Sequence, residues 1–296
     1  MIKLRHKLTK AYLNVATKKF TLKDIATART RFDAASKNRL KLRLKSVRDT
    51  SANSIKLRVY RNDTTQAKLP VVVYFHGGGF VLGSIESHDS ICRYISKYSN
   101  CVVVSVEYSL APESPYPAPV NEGLEILKWL HNNGEKEGID TSMVYLAGDS
   151  AGGNIALSMA TNSSLHTTLK GLILIYPTLD PKLSTASMQQ YATGHFLTKS
   201  MLVEFWEFYQ RGRGPYKPPT DSELEGLPPV LIIAAEKDVL RDEGLGFAKR
   251  LRSLNKEVEY ACYNDMLHGF VQFPKVASKK VQAFRRIATF ITKHAT

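Results

Sequence analysis

Cysteine is scarce: Cys92, Cys101 and Cys262 are the three among 296 residues. The number is odd and no pair has the spacing of a redox or metal-binding motif, so neither a disulfide scaffold nor a zinc site is expected, and no metal or organic cofactor is called for. Each cysteine lies among apolar residues, which predicts buried thiols in a reducing cytoplasm. Long hydrophobic runs are absent as well. The longest, 71–75 and 172–176, are strand length, far short of the roughly 20 residues of a transmembrane helix, and no integral membrane association is expected. The first twenty residues carry six Lys or Arg without an apolar stretch and do not read as a secretory signal. No glycine loop ends in the Gly-Lys-Ser/Thr of a phosphate-binding loop, and no dinucleotide fingerprint occurs. Internal repeats and low-complexity tracts are missing.

Acidic residues are few at one end. Residues 1–50 hold fifteen Lys or Arg against Asp24, Asp33 and Asp49, a net +12, whereas the other 26 basic and 24 acidic residues nearly cancel. The basic residues are interspersed with apolar ones and lack neighbouring aromatics for base stacking, so they read as a solvated face, and no nucleic-acid partner is expected.

Apolar spacing at Leu4, Leu8, Tyr12 and Val15 predicts an amphipathic helix, and a second one is expected over 25–35. The period then changes. Leu40, Leu42 and Leu44 alternate with basic residues, and Ile55, Leu57 and Val59 resume the alternation after 49–53, which predicts a hairpin with its turn at 49–53. Beyond residue 69 come continuous apolar runs at 71–75, 102–106, 144–147, 172–176, 230–234 and 258–262. Helical patterns at 88–99, 120–132, 154–161, 243–255 and 279–293 separate most of them. Such alternation predicts a mostly parallel sheet covered on both faces. Residues 181–219 break the rhythm with an aromatic-rich helix over 199–210 and a Pro/Gly tail. The chain therefore divides into a basic N-terminal segment with cap helices and the first strand (1–50), a first core part (51–180), a cap insertion (181–219) and a second core part (220–296).

The chemistry centres on Gly148-Asp149-Ser150-Ala151-Gly152, which joins an apolar run to a helical pattern. This is the layout of a nucleophile elbow, in which glycines at minus two and plus two let the chain fold back sharply and leave Ser150 at the tip, hydroxyl exposed. An unassisted serine is a poor nucleophile and needs a base, itself oriented by an acid, which in the elbow enzymes follow it in the order acid, then histidine. Of the later histidines, His166 and His195 precede the final strands and His294 ends the last helix. His268 remains, in a loop between the last strand and helix. After the run 230–234, Glu236 and Asp238 both sit where the acid belongs, and spacing alone leaves the two open. Asp149 adjoins the serine and cannot readily also reach the far side of His268, so it is expected to support the elbow. The stretch His76-Gly77-Gly78-Gly79 follows an apolar strand, and its glycines let backbone N–H groups approach a substrate oxygen. With Ala151, the residue after the nucleophile, they are candidate donors to an oxyanion.

With these residues in place the chain resembles the hormone-sensitive-lipase-like esterases of the α/β-hydrolase superfamily. The likeness runs from about residue 40 onward, through His76-Gly77-Gly78-Gly79-Phe80, Glu107-Tyr108-Ser109-Leu110-Ala111-Pro112-Glu113, Gly148 to Asn154, Tyr176-Pro177, Asp238 to Gly244 and His268-Gly269-Phe270. It implies an α/β-hydrolase fold with a central sheet of about eight strands and a helical cap. It also implies Ser150 as nucleophile, His268 as base, Asp238 as its acid, and Gly78, Gly79 and Ala151 as oxyanion donors, with His76, Gly77 and Asp149 in support. Ser109 stands where the family usually has arginine and Val239 where it usually has proline. The missing arginine is expected to loosen the loop near Glu113. The resemblance implies a carboxylesterase for small, short-chain acyl esters and leaves a homodimer open. Alternatives with the same triad are an amidase, a sugar-ester deacetylase or a lipase. A ligand-binding homologue such as the plant gibberellin receptors is less compatible, because those lack the histidine.

Overall fold

The computed structural model describes residues 24–36, 40–63, 68–162, 169–212, 214–273 and 277–295. The helix expected around Leu4 to Val15 lies outside them. One sheet of eight strands organises the fold, in the order β1-β2-β4-β3-β5-β6-β7-β8. The strands are β1 Ser46–Ala52, β2 Ile55–Arg61, β3 Leu69–Phe75, β4 Val102–Val106, β5 Ile139–Asp149, β6 Leu169–Ile175, β7 Val230–Lys237 and β8 Val258–Leu267. The β1/β2 and β2/β4 pairs are antiparallel, and the remaining pairs are parallel.

Successive side chains of a strand point to opposite faces, so a sheet covered on both sides requires apolar residues at every position. Strand β3 shows the result: Val71, Val73 and Phe75 belong to one core, and Val72 and Tyr74 to the other. Helices α2 (Ile85–Ser99) and α9 (Ala277–Lys293) supply Ile91, Ile95, Phe284 and Ile287 to the second face. Helices α3 (Ala118–Asn133), α4 (Ala151–Ala160) and α8 (Arg241–Ser253) cover the first with Ile126, Ile155 and Leu251. The short helix α1 (Ile25–Ser36) joins that first core through Ala28. The region 181–219 carries α5 (Ala186–Gln190) and α6 (Lys199–Tyr209), and α7 (Asp221–Glu225) follows it. Leu202, Phe205 and Trp206 of α6 pack into the same core.

The N-terminal hairpin departs from expectation. Its first strand begins at Ser46, and residues 49–52, expected as a turn, are paired with β2 up to Ala52 opposite Ile55. The turn is the two-residue Asn53-Ser54, where Asn53 takes the left-handed φ of 54° that asparagine tolerates. Leu42 and Leu44 precede the strand and pack against the second core, while Leu40 is 58% exposed. A second correction concerns Cys262. It lies on β8, which among the described residues pairs with β7 alone, and it is exposed, unlike the buried Cys92 and Cys101.

Candidate active site

The parallel strands β3, β5, β7 and β8 end at one rim of the sheet, and the chemistry-bearing residues follow those ends. After β5 the chain turns at Ser150 with φ 53° and ψ −118°, then enters α4 at Ala151. A non-glycine residue in that region costs on the order of 1–3 kcal/mol and persists only where its surroundings impose it. Ser150 N–H donates to the Ile175 carbonyl at 2.8 Å, tying the turn to β6. A Cβ on Gly148 would come within 2.2 Å of the Gly152 carbonyl, and one on Gly152 within 2.0 Å of the Phe75 oxygen. Both glycines are thus required by close approach. Ser150 is 8% exposed at the tip of this turn.

His268 follows β8 and turns its imidazole back between two partners. Its Nε2 lies 3.0 Å from Ser150 Oγ, and its Nδ1 lies 2.7 Å from Asp238 Oδ2. A carboxylate only accepts, so Nδ1 carries the ring proton and Nε2 is left to accept from the serine hydroxyl. Asp238 is 1% exposed, and its second oxygen accepts from the Leu240 N–H at 3.0 Å. The other candidate acid, Glu236, is still within β7 and accepts from the Asp265 N–H. Among the described histidines, His195 bonds the Thr193 carbonyl on the cap and His294 faces Glu257. The ring of Tyr176 packs at 4.6 Å from the imidazole, with its own backbone held at a φ of 35°.

The glycine loop lies against the elbow through Asp149. That carboxylate accepts from the Gly77 N–H at 2.8 Å, the Tyr74 hydroxyl at 2.5 Å and the Gln272 amide at 3.2 Å. Burial pushes its pKa up, but the electrostatic attraction and hydrogen bond of adjacent His88, with the bonds from Tyr74 and Gly77, outweigh it and hold the group at about 2. Gln272 and His88 carried no motif. His76 is fully buried, stacks on Tyr108 at 4.3 Å and bonds the Gly77 carbonyl through Nδ1 at 2.9 Å. Burial, reinforced by neighbouring His88, depresses its pKa to about 3, so it is a neutral brace rather than a proton carrier. Beyond Gly77, the residues Gly78, Gly79 and Phe80 all have positive φ, of 127°, 63° and 66°. A Cβ on Gly79 would fall 2.3 Å from the Phe205 ring, so α6 closes directly on this loop.

The loop after β4 differs from expectation. Ser109, in place of an arginine, binds Glu122 through both its N–H and its hydroxyl at 2.7 and 2.5 Å. Glu113 is not left without a guanidinium, because Arg29 of α1 donates to both its oxygens at 2.9 and 2.7 Å. Among the described residues no group of three or more His, Cys, Asp or Glu could hold a metal ion, and no helix is long and apolar enough to cross a membrane.

The family model of the alpha/beta hydrolase fold matches residues 72–272. The chain belongs to the α/β-hydrolases, in their hormone-sensitive-lipase-like branch. Among its relatives, carboxylesterase NlhH of Mycobacterium tuberculosis is 35% identical over 257 residues, covering 83% of this chain and 81% of that one. Among solved structures, a thermostable esterase from Pseudomonas putida superposes with a TM-score of 0.87 at 31% identity, covering 97% of each chain. A hyperthermophilic esterase from Pyrobaculum calidifontis gives 0.83 at 34% identity, with 97% of this chain and 98% of that one covered. In this α/β-hydrolase, α1 and the β1/β2 hairpin precede the family match.

Proposed function

We propose that the chain is a serine carboxylesterase that hydrolyses short-chain acyl esters through an acyl-enzyme on Ser150. The observation that carries the reading is the hydrogen-bonded line Ser150 Oγ, His268 Nε2, His268 Nδ1, Asp238 Oδ2, with both links at 3.0 Å or less. In acylation, Ser150 Oγ attacks the ester carbonyl carbon as its proton passes to His268 Nε2. Asp238 keeps the imidazole in the required tautomer and balances its positive charge. The carbonyl oxygen becomes an oxyanion, which the N–H groups of Gly78, Gly79 and Ala151 receive. Collapse breaks the bond to the alcohol oxygen, which takes the proton from His268, and leaves the acyl group on Ser150. Water then gives a proton to His268 and attacks the acyl carbon. The acid departs, and the proton returns to Ser150 Oγ.

Relatives named carboxylesterase and esterase support the choice of an ester bond. The Phe205 ring, set against Gly79, limits room beside the oxyanion donors and supports short acyl groups. Three free thiols, one of them exposed, suit the reducing cytoplasm as the working compartment. Ser150→Ala is expected to lower turnover of nitrophenyl butyrate by at least about 1,000-fold with the fold unchanged by circular dichroism. Turnover within a few-fold of the parent protein would overturn the assignment.

A further inference from the structure

The oxyanion loop is built from backbone that does not hold its own shape. Glycine adopts positive φ freely, but Phe80, at 66°, does so against its Cβ. Three such residues in succession keep their N–H groups in one place only if outside contacts fix them. Within the loop, the N–H groups of Val81 and Leu82 reach the Gly78 carbonyl at 3.3 and 2.9 Å. From the cap, Tyr209 stacks flat on the Phe80 ring at 3.7 Å. The third support comes from a distant part of the chain.

Arg29 reaches across from α1 to this loop. Its Nε donates to the Val81 carbonyl at 2.8 Å and its Nη2 to the Ala111 carbonyl at 2.9 Å. The Ala111 N–H in turn donates to the Phe80 carbonyl at 2.9 Å. One planar guanidinium therefore brackets the strained Phe80-Val81 segment, while its remaining donors take Glu113. The Glu113 pair is mostly solvent-facing, with side chains 28% and 62% exposed, and an ion pair of that kind contributes little. The two carbonyl contacts are the part that fixes geometry. Asp33, one turn further along the same helix, accepts from the Ser84 hydroxyl at 2.8 Å, where the loop ends and α2 begins. Helix α1 thus meets the loop at both its strained middle and its exit.

We propose that Arg29 is a positioning residue for the oxyanion loop, so that helix α1 is a working part of the esterase site rather than an appended cover. The inference rests on the esterase reading above. Moving an oxyanion donor by a fraction of an ångström weakens a contact worth about 100- to 1,000-fold in rate. Arg29→Ala should therefore lower kcat on nitrophenyl butyrate by about 10- to 100-fold while KM moves by less than about threefold. Ethylguanidinium in the assay should restore a substantial part of that loss, because it supplies the missing donors. Arg31→Ala, which removes the same charge from an exposed position of the same helix, should leave kcat unaltered. If Arg29→Ala fails to fold, Arg29→Lys carries the test, since an ammonium cannot serve both carbonyls and the carboxylate in one plane; it should lose at least about fivefold in kcat. Unchanged kcat, or a loss that follows loss of fold and ignores ethylguanidinium, would overturn the proposal. Labelling of the parent protein on Ser150 by a fluorophosphonate separates the two readings: a labelled serine with an indifferent Arg29 sinks only the positioning role.

Discussion

Asp149→Asn tests the joint between the nucleophile turn and the oxyanion loop. The carboxylate is 1% exposed and is held at a pKa of about 2, against an ordinary value of 3.8. The difference favours the ionised form by about 2 kcal/mol. Because the folded value lies below the unfolded one, this stabilisation is complete above the ordinary value and is lost as pH falls through the folded one; by about pH 3 roughly half of it is gone. Asparagine has nearly the same shape but only one acceptor oxygen. Directed at Tyr74 and Gly77, it turns its amide nitrogen toward the Gln272 amide, which also donates. Turned the other way, it confronts the Gly77 N–H with a donor. Either arrangement strands one buried donor, at a further cost of about 1–3 kcal/mol. Urea unfolding at neutral pH should show Asp149→Asn less stable by about 3–5 kcal/mol in all, with the deficit narrowing at about pH 3. Turnover should fall at least about tenfold, because Gly77 leads directly into the donors. A variant of parental stability at neutral pH, or a deficit of constant size down to pH 3, would refute the reasoning.

Two further outcomes follow from contacts nearby. Gly79→Ala places its methyl in the Phe205 ring and asks alanine to adopt a φ of 63°, so kcat should drop by about 100-fold or more. Adding Phe205→Ala should recover the steric part of that loss and extend activity toward longer acyl chains; kinetic additivity of the two changes would show that the ring is not the obstacle. Glu243 is buried, and burial pushes its pKa up to about 8 despite the N–H groups of Leu179 and Asp180 that lower it. A raised carboxyl contributes its full stability below the unfolded value and loses it as pH climbs toward the folded one. Glu243→Gln stays neutral and keeps an acceptor for both N–H groups, so it should outlast the parent protein increasingly between about pH 5 and pH 8 in thermal unfolding. Parallel curves across that range would contradict the argument.

The legible parts of this fold were those written in short range. Strand β4 was expected over 102–106 and ends at those residues, because five consecutive buried positions leave no ambiguity of period. Ser150 and His268 could be chosen because a strand, a sharp turn and a helix leave local marks, and because chain order removes the other histidines. Strand β1 was misplaced since its outward-facing polar residues give weak alternation, whereas Leu40, Leu42 and Leu44 mimic a strand. Cys262 misled for a related reason: an apolar neighbourhood in sequence says nothing about whether a strand lies at the edge. Arg29 was invisible altogether. It acts on carbonyls 52 and 82 positions away, and a carbonyl has no side-chain signature to spell out a partner.

The separation of the parts also governs when the protein becomes reactive. Ser150 and His268 stand 118 positions apart, and the histidine follows β8, so a chain that stops short of β8 holds the serine without its histidine. On the triad proposed above, reactivity requires β8 to be docked on β7 at the edge of the sheet. A copy lacking β8 would then be silent toward esters, and the ester cleavage regained on refolding would report that β8 has docked.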